Sequence, residues 1–308
     1  DEKLKIISDF HDIGQMKMEL ITPNEHGDWI SKRNDRFGTW IPIEPTDKFN
    51  LKTQSWFITN SMGAGTSRDV WVYNFSTKHL RENVTATINF YNSQVDDLQK
   101  ARAENSEIKV DDFKNNDETK ISWSSSLVPK LDKLIKAKYQ DNKTYEALYR
   151  PYVKTNLYFG DMFIHRKSKL EQLFPTINHN NVVICIQGAG GKQEFTPSIA
   201  NKIPDLHFDG DSQCFPLYWY ETIEPDQNSL FEDVDTQIVK HEAISDFILK
   251  RAQSKYGNKV QREDIFYYVY GILHSKSYRE TFSADLKKML PRIPLVSDYE
   301  KFWAFSKA

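Results

Sequence analysis

Residues 147–163 read ALYRPYVKTNLYFGDMF, and how their apolar side chains recur decides between helix and sheet. Leu148, Tyr152, Leu157, Tyr158 and Phe159 are interleaved with Arg150 and Lys154, a near-alternating, ring-rich pattern that suits strands. Working outward, residues 182–186 (VVICI) form a short, wholly apolar run of strand type, and residues 215–220 (FPLYWY) an aromatic one. Upstream, residues 57–75 read as a strand, a loop around Gly63 and Gly65, and a second strand, VWVYNF. Residues 76–104 predict one long helix with Ser76 or Thr77 as its cap. Residues 1–20 space Leu4, Ile7, Phe10 and Ile13 as an amphipathic helix that stops near Gly14. Residues 105–120 are polar and acidic and predict a loop or linker. Residues 121–139 predict a short strand and the helix PKLDKLIKAKY. From Leu230 onward the pattern turns helical, with helices over 238–255, 262–274 and 278–289. The expected fold is α+β. A mixed α/β region (1–120) leads into a β-rich core (121–229), and a helical subdomain (230–308) closes it. No internal repeat is present.

Composition sets the bounds. The 308 residues carry 41 Lys and Arg against 43 Asp and Glu, a near-neutral balance in a chain long enough for one large domain or two ordinary ones. An apolar share of 39% supports a real core, and 27% charged residues of both signs argue against disorder. No apolar run approaches the ~18 residues of a membrane span. Two cysteines, Cys185 and Cys214, exclude a disulfide scaffold or a Cys-rich zinc site and suit a cytoplasmic, reducing setting. The chain opens on DEKLKII without Met or a signal-peptide pattern and closes on FWAFSKA, which reads as a piece of a longer polypeptide.

Charge is unevenly spread. From Lys130 to Lys169 there are ten basic residues against four acids, a local excess of +6, interleaved with seven Tyr and Phe rings. From Glu221 to Asp246 eight acids face the single Lys240. Cations interleaved with rings suit a polyanion that also offers flat apolar surface, as nucleic acid does; the same composition also describes a solvated face over a β core. Other motifs carry less. Gly188–Lys192 (GAGGK) is too short for a phosphate-wrapping Walker loop and lacks the third glycine of a dinucleotide fingerprint. It suits a tight turn that aims Gln187, Lys192 and Gln193 at a DNA groove. His241–Glu242 begins like a zinc-protease helix, but Ser245 stands where the second His is needed. Glu107–Ile108–Lys109 is half of a nuclease signature without its partner Asp. Cys185 reads as an inert core thiol. No catalytic or metal constellation emerges.

Five segments together resemble a known family: TPNEHGDWISKRND (22–35), TSRDVWVYNFS (66–76), LYRPYVKTNLYF (148–159), IPDLHFDGDSQCFPLYWYE (203–221) and FYYVYGILHSKSYRETFSADLKKMLPRIPLV (266–296). They resemble, in order, the C-terminal part of bacterial type ISP restriction–modification polypeptides and related phage-defence adenine methyltransferases. In that family one polypeptide carries a nuclease, a helicase-like ATPase, an N6-adenine methyltransferase and a target recognition domain. Here the methyltransferase's Asn-Pro-Pro-Tyr and the helicase motifs are missing. The resemblance therefore implies the specificity region alone: a non-catalytic module that binds double-stranded DNA and directs adenine methylation and cleavage by other domains. It implies no cofactor or metal for this chain, with S-adenosylmethionine, ATP and Mg²⁺ serving the parent. It implies the methyltransferase domain of the same polypeptide as a partner, and no membrane. On that reading Lys133, Lys136, Arg166, Lys167 and Lys169 are candidate phosphate clamps. Lys154, Gln187, Lys192 and Gln193 join the DNA face, and Arg150 and Asn156 are candidate base readers, since Arg matches guanine and Asn matches adenine bidentately. Arg68 suits either task or, with Asp69, a buried ion pair. The rival expectation is a scaffold that couples methyltransferase to motor without base selectivity.

Overall fold

A computed structural model describes residues 2–46, 54–191, 194–223 and 237–307. The helices are α1 (Glu2–Ser8), α2 (Asp35–Gly38), α3 (Asp69–Val72), α4 (Thr77–Glu104), α5 (Val110–Phe113), α6 (Val128–Asp132), α7 (Leu170–Leu173), α8 (Asp246–Tyr256), α9 (Arg262–His274), α10 (Lys276–Thr281), α11 (Ser283–Leu286) and α12 (Tyr299–Ser306). The strands are β1 (Ile41–Pro42), β2 (Ser61–Met62), β3 (Tyr73–Asn74), β4 (Thr144–Leu148), β5 (Lys154–Tyr158), β6 (Val183–Ile186), β7 (Ser198–Ala200), β8 (Ile203–Pro204), β9 (Gln213–Pro216), β10 (Tyr218–Ile223), β11 (Gln237–Glu242) and β12 (Arg292–Ile293). The fold is α+β, as the sequence predicts.

One sheet separates two cores. Its order is β2-β9-β6-β7, all antiparallel. Strand alternation sends Val183, Cys185 and Cys214 to one side and Ile184, Ile186 and Phe215 to the other. On the first side lies α4, whose Leu80, Val84, Ile88, Tyr91, Val95 and Leu98 recur every three or four residues and bury one stripe. Ser76 caps it, its hydroxyl accepting from His79 N at 3.3 Å. Beneath α4 runs the second sheet, β3-β5-β4-β8, antiparallel except for the parallel β4–β8 pair. On the other side α9 buries Phe266, Tyr268, Val269 and Leu273 against Trp56, Phe57 and Phe302. Trp56 lies 5.6 Å from Tyr268, and Tyr268 lies 4.8 Å from Phe302. Phe37, Ile43, Trp56 and Phe57 thus pack with the C-terminal helices, whereas residues from Ala64 onward join the middle of the chain. The packing units cross the boundaries read from sequence.

Several elements differ from expectation for local reasons. Helix α1 ends at Ser8 and buries nothing: Leu4, Ile6 and Ile7 stand exposed among the described residues. VWVYNF is mostly a helical turn, α3, followed by the two-residue β3. The stretch expected as loop holds the turn α5. PKLDKLIKAKY stops at Asp132: Leu134 takes φ +56° and Ile135 N bonds back to Lys130 O at 2.9 Å, a left-handed C-terminal closure. Residues 237–242, expected as helix, form β11 paired along β10, and α8 begins only at Asp246 under the Ser245 cap. The helix predicted at 262–274 is α9. The one after it is broken into α10 and α11. No helix among the described residues is long and apolar enough to cross a membrane.

An N-terminal strap is fastened to the C-terminal region by charge. Asp28 is buried and takes Arg33 at 2.9 Å and Lys288 at 2.6 Å, and these two cations hold its carboxyl well below the usual carboxylate range. Asp285 accepts Asn34 N at 3.1 Å with both oxygens. Around this anchor Leu20, Trp29 and Ile30 stand exposed.

Candidate functional site

Four loops meet at one end of the β4–β5 hairpin. The loop after β2 pairs with the segment after Ile164 through a Gly65–Arg166 bridge, and with the loop after β8 through an Ala64–Asp205 bridge. The hairpin tip joins them through Arg150. Its backbone N–H donates to Asp205 Oδ1 at 3.1 Å, and its guanidinium pairs with Asp205 Oδ2. Asp69 Oδ2 lies 3.7 Å from the same guanidinium and accepts the Tyr149 hydroxyl at 3.1 Å. The guanidinium carbon stacks 4.4 Å from the Tyr149 ring centre. Asp205 is buried and Arg150 half-exposed, so two acids and a ring fix the arginine's plane while part of it faces water. Close packing of Gly63 on Asp205 makes this possible: a Cβ there would overlap the Asp205 carbonyl. A cleft of about 530 Å³ runs beside the tip, lined by Val70, Trp71, His165, Arg166 and His207 among others. His165 bonds Ser126 Oγ at 3.0 Å, and burial lowers the pKa of its imidazole; Arg166, exposed, is also on the cleft's lining.

The twelve sequence-derived candidates divide by geometry. Arg150 and Arg166 belong to the loop cluster, Lys169 lies beside β2, its N–H donating to Ser61 Oγ at 3.0 Å, and Lys154 begins β5 opposite Leu148, just past the tip. Arg166 and Lys154 are exposed; Lys169 is exposed and reaches Thr59 Oγ1 at 3.3 Å. Arg68 requires correction, because it is 2% exposed and is neither a DNA contact nor the ion-pair partner of Asp69. Its guanidinium donates to Ser122 O at 3.2 Å, Thr66 O at 3.2 Å, Phe163 O at 2.8 Å and Ser124 Oγ at 2.7 Å, and burial lowers its pKa to about 10. Asn156 is also corrected: its amide donates to Asn74 O at 3.1 Å and Phe75 O at 3.0 Å, which leaves it unable to offer adenine a bidentate pair. Lys167 is only 13% exposed and lies between Asp161 and Glu171, whose charges neutralise it. Lys136 pairs with Asp96 of α4 at 2.7 Å, and Lys133 is exposed at the end of α6; among the described residues no contact joins either to the loop cluster. Gln187 lines a separate cavity with Lys276, Arg279 and Lys287. Lys192 and Gln193 lie outside the described residues.

The ring-rich band is corrected in the same way. Tyr145, Tyr158, Phe159 and Phe163 are buried in the first core, and of the band's seven rings Tyr152 alone is fully exposed. Sequence reading missed Asp69 and Asp205 as partners of Arg150. The signal lay in TSRDVW and IPDLHF, but pairing residues 55 apart needs the fold.

The described residues form an α+β fold that carries Arg150 and Arg166 on loops at one end of the β4–β5 hairpin. The comparisons with known proteins give the family. The Type ISP C-terminal specificity domain model matches residues 55–308, and the chain belongs to that family. Among solved structures, it is similar to a nuclease-deletion mutant of the Type ISP restriction–modification enzyme LlaGI in complex with a DNA substrate mimic. That similarity has a TM-score of 0.79 and 32% identity over 100% of this chain and 22% of that one. It is similar to the ATP-dependent Type ISP enzyme LlaBIII bound to DNA, with a TM-score of 0.76 and 29% identity over 93% of this chain and 17% of that one. The DrdV–DNA complex shares the fold, with a TM-score of 0.81 at 23% identity over 99% of this chain and 28% of that one. The chain therefore spans 17% to 28% of the length of these polypeptides. No curated protein sequence matches it.

Proposed function

We propose that this chain reads a specific site in double-stranded DNA and so directs adenine-N6 methylation and restriction by other domains of a larger cytoplasmic polypeptide. Those domains, and not this chain, would use S-adenosylmethionine, ATP and Mg²⁺. The observation that carries the reading is the Arg150 guanidinium, fixed by Asp69 and Asp205 and stacked on Tyr149 at the tip of a rigid hairpin. A planar fork held in place and open on one side suits the O6 and N7 of guanine. Arg166, Lys169 and Lys154 around it suit phosphate oxygens, which position a protein without reading sequence.

The exposed apolar residues near the N-terminus support the partner assignment. Leu20, Trp29 and Ile30 sit on a strap already fixed by Asp28, and a methyltransferase domain of the same polypeptide would cover them. The same patch is what favours the rival scaffold reading. Binding of the intact polypeptide to short duplexes over a salt series separates the two. DNA reading predicts a log–log salt slope of about −0.9 per phosphate contact and preference for one sequence, with Arg150→Ala relaxing a single base position by about 1–3 kcal/mol. Arg150→Ala leaving every base preference intact would reject Arg150 as reader, and wild-type binding without preference would favour the scaffold.

A further inference from the structure

The β4–β5 ladder ends with Tyr149 N donating to Val153 O at 2.8 Å, so the hairpin tip is Arg150-Pro151-Tyr152 alone. Both Arg150 and Tyr152 take left-handed backbone conformations, with φ of +66° and +68°. Side chains of this size rarely adopt such conformations, which persist where surrounding contacts over-determine them. Those contacts are visible at Arg150, which Asp205 grips by both backbone and side chain. Pro151 then restricts the next φ. The result is to hold the Tyr152 ring away from the protein at 101% relative exposure. No hydrogen bond or ring contact of Tyr152 occurs among the described residues, although Tyr149, Tyr145 and Tyr158 on the same hairpin all have ring partners. A strained, braced loop that presents a large ring entirely to water gains nothing for the folded chain. It suits an occupant that takes the ring between flat surfaces, and exposed Lys154, two residues further on, fits an anionic one.

We propose that Tyr152 is a groove-inserting ring. On this proposal, which rests on the DNA-reading role of this edge, it enters the duplex beside the guanine held by Arg150 and packs against a base-pair step. The step opens around it, and the distortion adds sequence preference at a position no hydrogen bond reads, because steps differ in how readily they unstack. Base-on-ring contact of this kind is worth about tenfold to a hundredfold in affinity on removal of the ring.

The test uses the intact polypeptide and duplexes containing its recognition site, with 2-aminopurine placed in turn at each position other than the methylated adenine. Wild type should raise the fluorescence severalfold at one step. Tyr152→Ala should abolish that rise and weaken site binding tenfold or more at an unchanged melting temperature. Tyr152→Phe should keep both within about twofold. Two outcomes overturn the proposal while leaving the DNA-reading role standing. One is site-selective binding by Tyr152→Ala with wild-type affinity and fluorescence. The other is loss of affinity in Tyr152→Ala when wild type gives no fluorescence change at any position, which would place the ring against another domain. Wild type that fails to distinguish its site from other duplexes would overturn both.

Discussion

Replacing Arg68 by Met removes a buried cation whose donors join three separate segments, around Thr66, Ser122–Ser124 and Phe163. Four charge-assisted bonds at about 1.5 kcal/mol each favour the folded state. Against them stands the cost of burying the guanidinium: its pKa falls from 12.5 to about 10, which corresponds to about 3 kcal/mol at 1.36 kcal/mol per unit. The net cost of the substitution is then about 3 kcal/mol. At roughly 2.1 cal/mol/K per residue over 308 residues, that lowers the melting temperature by about 5 °C. Arg68→Lys should lower it nearly as much, since one ammonium cannot span four acceptors in three segments. Scanning calorimetry of both variants, with duplex binding measured well below the transition, checks the account. Binding should change less than twofold. Variants that melt like wild type but bind DNA tenfold more weakly would refute the burial argument and return Arg68 to the DNA face.

Further expectations concern charge and close packing at the same edge. Arg166→Glu and Lys169→Glu should each reduce the salt slope of duplex binding by about 1, whereas Lys167→Gln should leave the slope unchanged and lower thermal stability, because its charge is matched within the fold; slopes from anisotropy titrations decide. Gly63→Ala should destabilise by about 2 kcal/mol and weaken DNA binding as well, since displacing Asp205 releases Arg150; a melt that shifts without a change in binding would uncouple the two. Asp209 is half-buried with one oxygen unpartnered, and burial raises its pKa from 3.8 to about 6. The folded chain therefore binds a proton there more tightly than the unfolded chain, so this group's contribution to stability falls as pH rises from about 4 to 6. Asp209→Asn should stabilise at pH 7 by up to about 3 kcal/mol and be neutral at pH 4, and denaturant titrations at both values test the sign.

Local signals in this chain were sufficient wherever an element stabilises itself or buries one continuous stripe. Helix α4 shows its Ser76 cap and apolar stripe in the sequence, and α9 matches its predicted span because apolar spacing and N-terminal acids agree. Elements set by distant partners were not legible. β11 has mixed polarity and becomes a strand only through its pairing with β10, from Tyr218–Glu242 to Ile223–Gln237. The interleaved rings and cations of residues 130–169 look alike in sequence whether they build a face or a core. Pleating and packing send most of the rings inward, while Lys136 is neutralised by Asp96, which neighbours it only in the fold, and Lys167 by Asp161 and Glu171 of its own segment. Residue type alone made Arg150 a candidate reader, but the acids that orient it come from loops 81 and 55 residues away.

A structure of the protein bound to a duplex for which it shows sequence preference tests the central claim most directly. The account predicts the 149–153 tip in a groove, with the Arg150 guanidinium within hydrogen-bond distance of a guanine edge and Arg166 and Lys169 on phosphates. A duplex lying against α4 and α6, with the tip in solvent or packed on another domain, would contradict it.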